Sequence, residues 1–244
     1  AEQLQDALGV ASSADGLTVL VADGDRALVS VWTRPGASSN AWAHLGDFGA
    51  EAMTKPCGIA ASPDGLTAWV VDRERYRVTV WTRTGADSAG WAWQSSFGVF
   101  GLGPGQFYDP RAVAVSADGL TAWVADVGYG DDKVEVWTRP SVGSGEWSVQ
   151  GAFGMGGETA LSAPLGVAAS PDGLVAWVAE GQNYVSTWTR PSAASAAWTR
   201  SHRVLVDISP FGIWDPSGVA SRGGGAMWVV DAQNDVVSVW SGCA

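Results

Sequence analysis

The sequence predicts an all-β fold in which five repeats of about fifty residues, each a small antiparallel sheet, surround an axis as a five-bladed β-propeller. Three observations carry this. The stretch GIAASPDGLTAWVVDRERYRVTVWT at 58–82 recurs at 9–33, 112–138 and 166–189, and in degenerate form at 218–240. Its last tryptophan falls at Trp32, Trp81, Trp137, Trp188 and Trp240, so the intervals are 49, 56, 51 and 52 residues. Within each copy, apolar residues alternate in short runs broken by turn residues, which is the period of strands.

The second copy shows the elements in order. Residues 59–62 form a first strand, stopped by Pro63-Asp64-Gly65, a turn-forming triplet. Residues 67–71 form a second strand, ended by Asp72. Residues 77–82 form a third, with Val78, Val80 and Thr82 on one face and Arg77, Thr79 and Trp81 on the other. A bland Ala/Ser/Gly loop at 84–90 precedes a fourth strand from Trp91 to Phe97. The same spacing of six recurs from Trp42 to Phe48 and Trp147 to Phe153, and as Trp198 to Val204. Strands then run from axis to rim, and crossovers at 49–57, 98–111, 154–165 and 205–217 lead to the next blade. These crossovers vary most between repeats, whereas the loops after strand three are uniform.

One domain over 1–244 is expected, with repeats at about 9–57, 58–111, 112–165, 166–217 and 218–244. The fifth repeat stops after its third strand. Leu8 is followed at once by Gly9-Val10, the start of an inner strand, and one residue cannot cross the several strand spacings from rim to axis. The first seven residues therefore match a crossover tail such as 53–56, and blade V is expected to be three-stranded with an open edge.

Composition excludes some partners. With 14 Lys+Arg against 25 Asp+Glu the net charge is −11, which repels nucleic acid and anionic lipid. No apolar run is long enough to cross a membrane as a helix. The start at Ala1-Glu2-Gln3 suits a processed form and an extracytoplasmic setting (secreted, periplasmic or lumenal), although a trimmed chain looks the same. Two cysteines, Cys57 and Cys243, are too few for a disulfide framework, and their places in the repeat argue against their pairing.

The stretch FGVFGLGPGQFYDPRAVAVSADGLTAWVAD at 97–126 resembles the NHL-repeat family. The matching features are Phe97-Gly98, the glycine-spaced loop through Gly105-Gln106-Phe107, Pro110, Val113-Ala114-Val115, Asp118-Gly119 and Ala125-Asp126. The full loop motif occurs in this copy only, and the family's Asn-x-Arg is echoed by Asn183 and Asn234 without the Arg. The resemblance implies a propeller of five or six blades. It covers protein-binding, RNA-binding and lactonase-like members, so it implies a fold and not a function.

Four constellations invite a functional reading. Fifteen tryptophans could be sugar-stacking platforms, but their recurrence at strand positions suits rings that fill the wedges between blades. Trp214, in a crossover, is the exception. Asp15, Asp64, Asp118 and Asp172 in the first turn are expected to pair with Arg34, Arg83, Arg139 and Arg190 after strand three. Asp23, Asp72, Asp126, Glu180 and Asp231 end strand two in every copy. They are either a ring able to hold Ca²⁺ or a basic partner, or acceptors for their own following turns. His44 and His202 fall on outer strands, away from any axial site, and no phosphate-binding loop is present.

These readings converge on a non-catalytic scaffold that binds a protein partner through its crossover loops, with Phe100, Phe107, Tyr108, Met155, Phe211 and Trp214 as candidate contacts. No cofactor is expected, with Ca²⁺ held open. The alternatives are a multivalent carbohydrate-binding lectin and a Ca²⁺-dependent, lactonase-like hydrolase.

Overall fold

Alternating apolar runs become paired strands in the computed structural model, which describes residues 4–205, 216–221, 226–231 and 236–241. Blade I holds β1 (Ala7–Ser12), β2 (Thr18–Asp23), β3 (Leu28–Thr33) and β4 (Ala43–Phe48). Blade II holds β5 (Pro56–Ala61), β6 (Thr67–Asp72), β7 (Arg77–Arg83) and β8 (Trp91–Phe97). The short strands β9 (Val99–Phe100) and β10 (Gln106–Phe107) lie in the next crossover. Blade III holds β11 (Pro110–Val115), β12 (Thr121–Asp126), β13 (Lys133–Thr138) and β14 (Ser148–Phe153). Blade IV holds β15 (Pro164–Ala169), β16 (Val175–Glu180), β17 (Tyr184–Thr189) and β18 (Thr199–Leu205). Blade V has β19 (Pro216–Ser221), β20 (Ala226–Asp231) and β21 (Val236–Ser241), and is three-stranded as expected.

Every blade is a sequential antiparallel meander. The first turn explains why. In blade I, Ser13 Oγ accepts from Thr18 N at 3.0 Å, and Asp15 Oδ1 accepts from Leu17 N at 2.9 Å. Gly16 then turns the chain at φ +67°, a conformation that side chains with a Cβ rarely adopt. The same bonds recur from Ser62 with Asp64, Ser116 with Asp118, and Ser170 with Asp172.

The expected Asp–Arg pairs do not form in blades I to IV. Asp spends its carboxylate on this turn, while Arg Nε donates to the carbonyl of the adjacent glycine. The acceptors are Gly16, Gly65, Gly119 and Gly173, at 2.7–2.9 Å. A guanidinium next to a backbone carbonyl can also stack its plane, and each Arg lies over the first tryptophan of strand four. Arg34, Arg83, Arg139 and Arg190 cover Trp42, Trp91, Trp147 and Trp198 at 4.9–5.1 Å. Arg139 and Arg190 also cover Trp69 and Trp123 of the preceding blade, at 5.4 and 5.6 Å. Arg83 faces blade I, where Leu20 replaces that tryptophan, and its Nη2 donates to Thr18 Oγ1 at 3.1 Å instead. Arg83, Arg139 and Arg190 are thus rivets between blades. The aligned residues of blade V, Gly223 and Gly242, lie outside the described residues.

Aromatic rings fill the wedges between blades, as the recurrence suggests. Phe48 packs between Trp81 and Trp91, with ring centroids 5.3 and 4.6 Å apart. Phe97 does so between Trp137 and Trp147, and Phe153 between Trp188 and Trp198. Trp69, Trp123 and Trp177 are buried as well. Each core cluster therefore joins one blade to the next.

A closed ring is met at four boundaries but not at the fifth. Inner strands pack in succession, β1 on β5, β5 on β11, β11 on β15 and β15 on β19. Among the described residues β19 has no comparable packing on β1, and Val10, Val237 and Val239 on the facing blades are exposed.

Candidate binding surface

The crossover at 98–111 carries most of the predicted contact residues, and its conformation is enforced from below. Strands β9 and β10 pair in parallel, Val99 with Gln106 and Phe100 with Phe107. Gly98 turns at φ +91°, and a Cβ there would collide with the Phe107 ring. Gln106 Oε1 accepts from Gly103 N at 2.9 Å. Beneath the loop lies an ion pair that is 2 % and 1 % exposed, Lys133 with Glu135. Lys133 Nζ donates to the Gln106 carbonyl at 2.8 Å, and Glu135 Oε1 accepts from Gly105 N at 2.9 Å. Burial pushes the Glu135 carboxyl above its ordinary range, against the pull of Gly105 N–H and Lys133. At the far end, Tyr108 and Asp109 N–H donate to Asp126 at 2.9 and 2.8 Å. Burial pushes the Asp109 carboxyl up, but bonds from Arg73 and Arg111 outweigh it and hold its pKa low.

What this frame presents is apolar. Phe100 is 59 % exposed and packs at a tilt against Tyr76 at 4.7 Å and Tyr108 at 5.9 Å. Val99 and Leu102 are exposed beside it. Leu102 and Met155 line a cleft of about 140 Å³ with Pro104, Val149 and the Lys133–Glu135 pair. Met155 is itself exposed. Tyr129, 85 % exposed, lies in the turn between β12 and β13 at the same end of the propeller.

Phe100, Tyr108 and Met155 therefore reach solvent. Phe107 does not: it is fully buried against Trp137 at 5.9 Å, because the loop uses its ring as an anchor. Phe211 and Trp214 lie outside the described residues. Tyr129 escaped the sequence reading because its turn belongs to no recurring motif.

The acidic set has another role. Asp23, Asp72, Asp126 and Glu180 are all fully buried. Asp23 accepts from Gln5 and Asp6 N–H, and Asp72 from Thr54 and Lys55 N–H. Asp126 holds Tyr108 and Asp109, and Glu180 holds Ser162. Their backbone partners thus lie in the crossover that precedes the blade, while Arg203 also donates to Glu180 at 2.7 Å and Arg75 and Arg77 pair with Asp72 at 3.8 and 3.6 Å. Among these backbone bonds the following turn contributes at Asp23, from Arg26 N at 3.3 Å. Each carboxylate pins the chain as it enters a blade, and this shows the N-terminal segment acting as a crossover tail. Asp231 ends β20, but its side chain lies outside the described residues. Among the described residues no three His, Cys, Asp or Glu side chains converge as a metal-binding group.

An axial cavity of about 440 Å³ is lined by the inner strands of all five blades, through Gly9, Ile59, Val113, Val167 and Val219. Among the described residues its one charged lining residue is Arg111, which is bonded to Asp109 at 2.5 Å. Cys57 is buried beside it, its thiol 3.5 Å from the Arg111 carbonyl. Cys243 lies outside the described residues.

Solved structures similar to this chain share its architecture. A chain of a nidogen–laminin complex matches with TM-score 0.63 and 15 % identity, over 96 % of this chain and 75 % of that one. A periplasmic gluconolactonase from Pseudomonas aeruginosa matches with TM-score 0.57 and 20 % identity, over 82 % of this chain and 54 % of that one. A functionally unknown protein from Desulfotomaculum acetoxidans matches with TM-score 0.64 and 14 % identity, over 99 % and 71 %. At these identities the likeness shows the β-propeller fold alone. This chain spans little more than half of the lactonase chains it matches. No model of a known protein family matches the sequence, and no curated protein does, so the NHL likeness remains a resemblance. No helix among the described residues is long and apolar enough to cross a membrane.

Proposed function

We propose that this propeller is a non-catalytic scaffold that binds a protein partner through the crossover face between blades II and III. One observation carries the reading: Phe100, Tyr108, Val99 and Leu102 stand in solvent on a loop held rigid by buried groups. Exposed aromatic side chains on a pre-formed frame bind with little loss of conformational freedom, which is the anatomy of a protein-binding hot spot. The nidogen–laminin neighbour, a propeller in a protein complex, is in keeping with this.

Two observations favour binding over the alternatives. The axial cavity offers Gly, Ala, Val and Leu surface with one paired arginine, a poor lining for a hydrolytic ligand set. A lectin array would repeat an exposed ring in each blade, whereas Trp42 and Trp93 are exposed at non-equivalent positions and Trp91, Trp147 and Trp198 lie under arginines. An extracytoplasmic setting accords with the acidic surface. The test is a pull-down from the native source, with stoichiometry read by native mass spectrometry. The double variant Phe100→Ser/Tyr108→Ser should lose the partner while unfolding at an unchanged urea midpoint. Full retention of the partner by the folded variant would refute this surface.

A further inference from the structure

The repeat marks which groups at the crossover face are not part of its frame. Four backbone bonds align the blades: Gly24, Arg73, Val127 and Gly181 N–H donate to the carbonyls of Asp6, Lys55, Asp109 and Ala163. Arg73 therefore stands where the other three have Gly24, Val127 and Gly181. Arg111, two residues after Asp109, stands where they have Leu8, Cys57 and Leu165. Among the described residues, only the boundary of blades II and III joins two arginines to one carboxylate. Arg73 grips Asp109 as a fork, its Nε on Oδ1 and its Nη2 on Oδ2, the latter at 3.1 Å. Arg111 donates to Oδ2 through Nε at 2.9 Å and Nη2 at 2.5 Å. The two arginine side chains are 38 % and 33 % exposed, against 21 % for Asp109.

Two guanidiniums on one carboxylate leave one positive charge over, in a chain whose net charge is −11. The flanking turns carry exposed acids, Glu74 between Arg73 and Arg75 and Asp131 in blade III, yet two buried groups report a positive local field. Asp109 stays ionised below its ordinary range despite burial. Burial raises the Cys57 pKa, but of the charges acting on that thiol the pulls of Arg73 and Arg111 each exceed the push of Asp109. Beside this unit stand Tyr108, adjacent in sequence to Asp109, and Phe100, which packs on Tyr108 and on Tyr76 of the Arg73 turn. We propose that the Arg73–Asp109–Arg111 unit receives an aspartate or glutamate side chain of the protein partner, set next to an apolar residue that packs on Phe100 and Tyr108. The inference rests on the reading that this crossover face docks a protein. A second carboxylate would balance the two guanidiniums, whose planar forks suit carboxylate oxygens. The contact steers and orients the partner while the rings hold it.

The test selects short random peptides, displayed on phage, against the full chain at low salt. The winners should carry Asp or Glu within a few residues of an aromatic or aliphatic side chain. A synthetic winner, labelled with a fluorophore, is then titrated by polarisation. Arg73→Gln should weaken it about fivefold and Asp109→Asn should tighten it by a similar factor, because the first removes a cation and the second removes the competing carboxylate. Added salt should weaken binding to the wild type more than to Arg73→Gln. The opposed signs separate this role from a clip between blades, since loss of a clip would move both variants the same way. Urea midpoints check that each variant folds, and Arg111→Gln serves in place of Arg73→Gln if that variant does not. Winners rich in Lys or Arg, or without charge preference, would overturn the proposal, as would weaker or unchanged binding by folded Asp109→Asn. The docking reading fails separately. Acidic winners that bind Phe100→Ser/Tyr108→Ser as tightly as the wild type would refute the aromatic hot spot and leave the carboxylate site standing. Winners that need the two rings but ignore the charge variants would refute the carboxylate site alone.

Discussion

Replacing Arg139 with alanine should cost more stability than the same change at Arg34, although the two occupy the same place in the repeat. Arg139 is 5 % exposed. Its Nε donates to the Gly119 carbonyl at 2.8 Å, and its guanidinium lies between Trp69 of blade II and Trp147 of its own blade. A charged hydrogen bond lost from a buried carbonyl costs about 1.5–3 kcal/mol, and each desolvated cation–π contact adds about 0.5–2 kcal/mol. The sum is roughly 2.5–7 kcal/mol, which for a chain of this size lowers the unfolding temperature by about 5–28 °C. Arg34 is half-buried, donates to the Gly16 carbonyl at 2.8 Å and covers one ring, Trp42, so its removal should cost about 2–4 kcal/mol, less the screening its exposure allows. Thermal and urea unfolding followed by tryptophan fluorescence read both. Arg139→Lys should fall between, because a lysine keeps the charge but not the planar stack. Equal losses at the two positions would refute the rivet between blades and leave only the intrablade bond.

Phe107→Ala should destabilise the protein by about 3–5 kcal/mol and open the 98–111 crossover to limited proteolysis, whereas Phe100→Ala should leave the urea midpoint near that of the wild type. Burial pushes the Cys57 thiol up from 9.0 to about 11. The native protein should therefore resist a thiol reagent at pH 8 that labels it in denaturant. Because the folded pKa is the higher, the stability that Cys57 contributes is complete below pH 9 and is lost as pH rises toward 11. Asp109 is held below its ordinary 3.8 by Arg73 and Arg111 despite burial. Its contribution is present above that value and lost as pH falls through the folded pKa, so Asp109→Asn should flatten the acid limb of a stability–pH profile. An unchanged limb would show that the guanidiniums do not act on this carboxylate.

How much of this was legible depends on whether a feature is local in the repeat. Strands, the Ser-x-Asp-Gly turns and the three-stranded last blade follow from runs of a few residues, and they stand where the pattern puts them. The acidic residues were visible as a set, but their donors in the preceding crossover were not. Their acceptors are satisfied by N–H groups 17 or 18 residues upstream, at Asp6 for Asp23, Lys55 for Asp72 and Asp109 for Asp126. That spacing is constant in the sequence, but backbone donors carry no side-chain signature. The same blindness hid the arginine bonds, whose acceptor is the glycine carbonyl beside the aspartate. The exposure of Val10 was invisible for a deeper reason. Val10 and Ile59 are equivalent letters in equivalent repeats, and only the neighbour's presence makes one exposed and the other buried. A repeat specifies the face that a blade offers, but not whether another blade arrives to meet it. At the two ends of an array the same hydrophobic pattern that builds the core elsewhere must therefore either find a partner or remain wet. Among the described residues this falls on Val10, Val237 and Val239, whose counterparts in the other blades are buried.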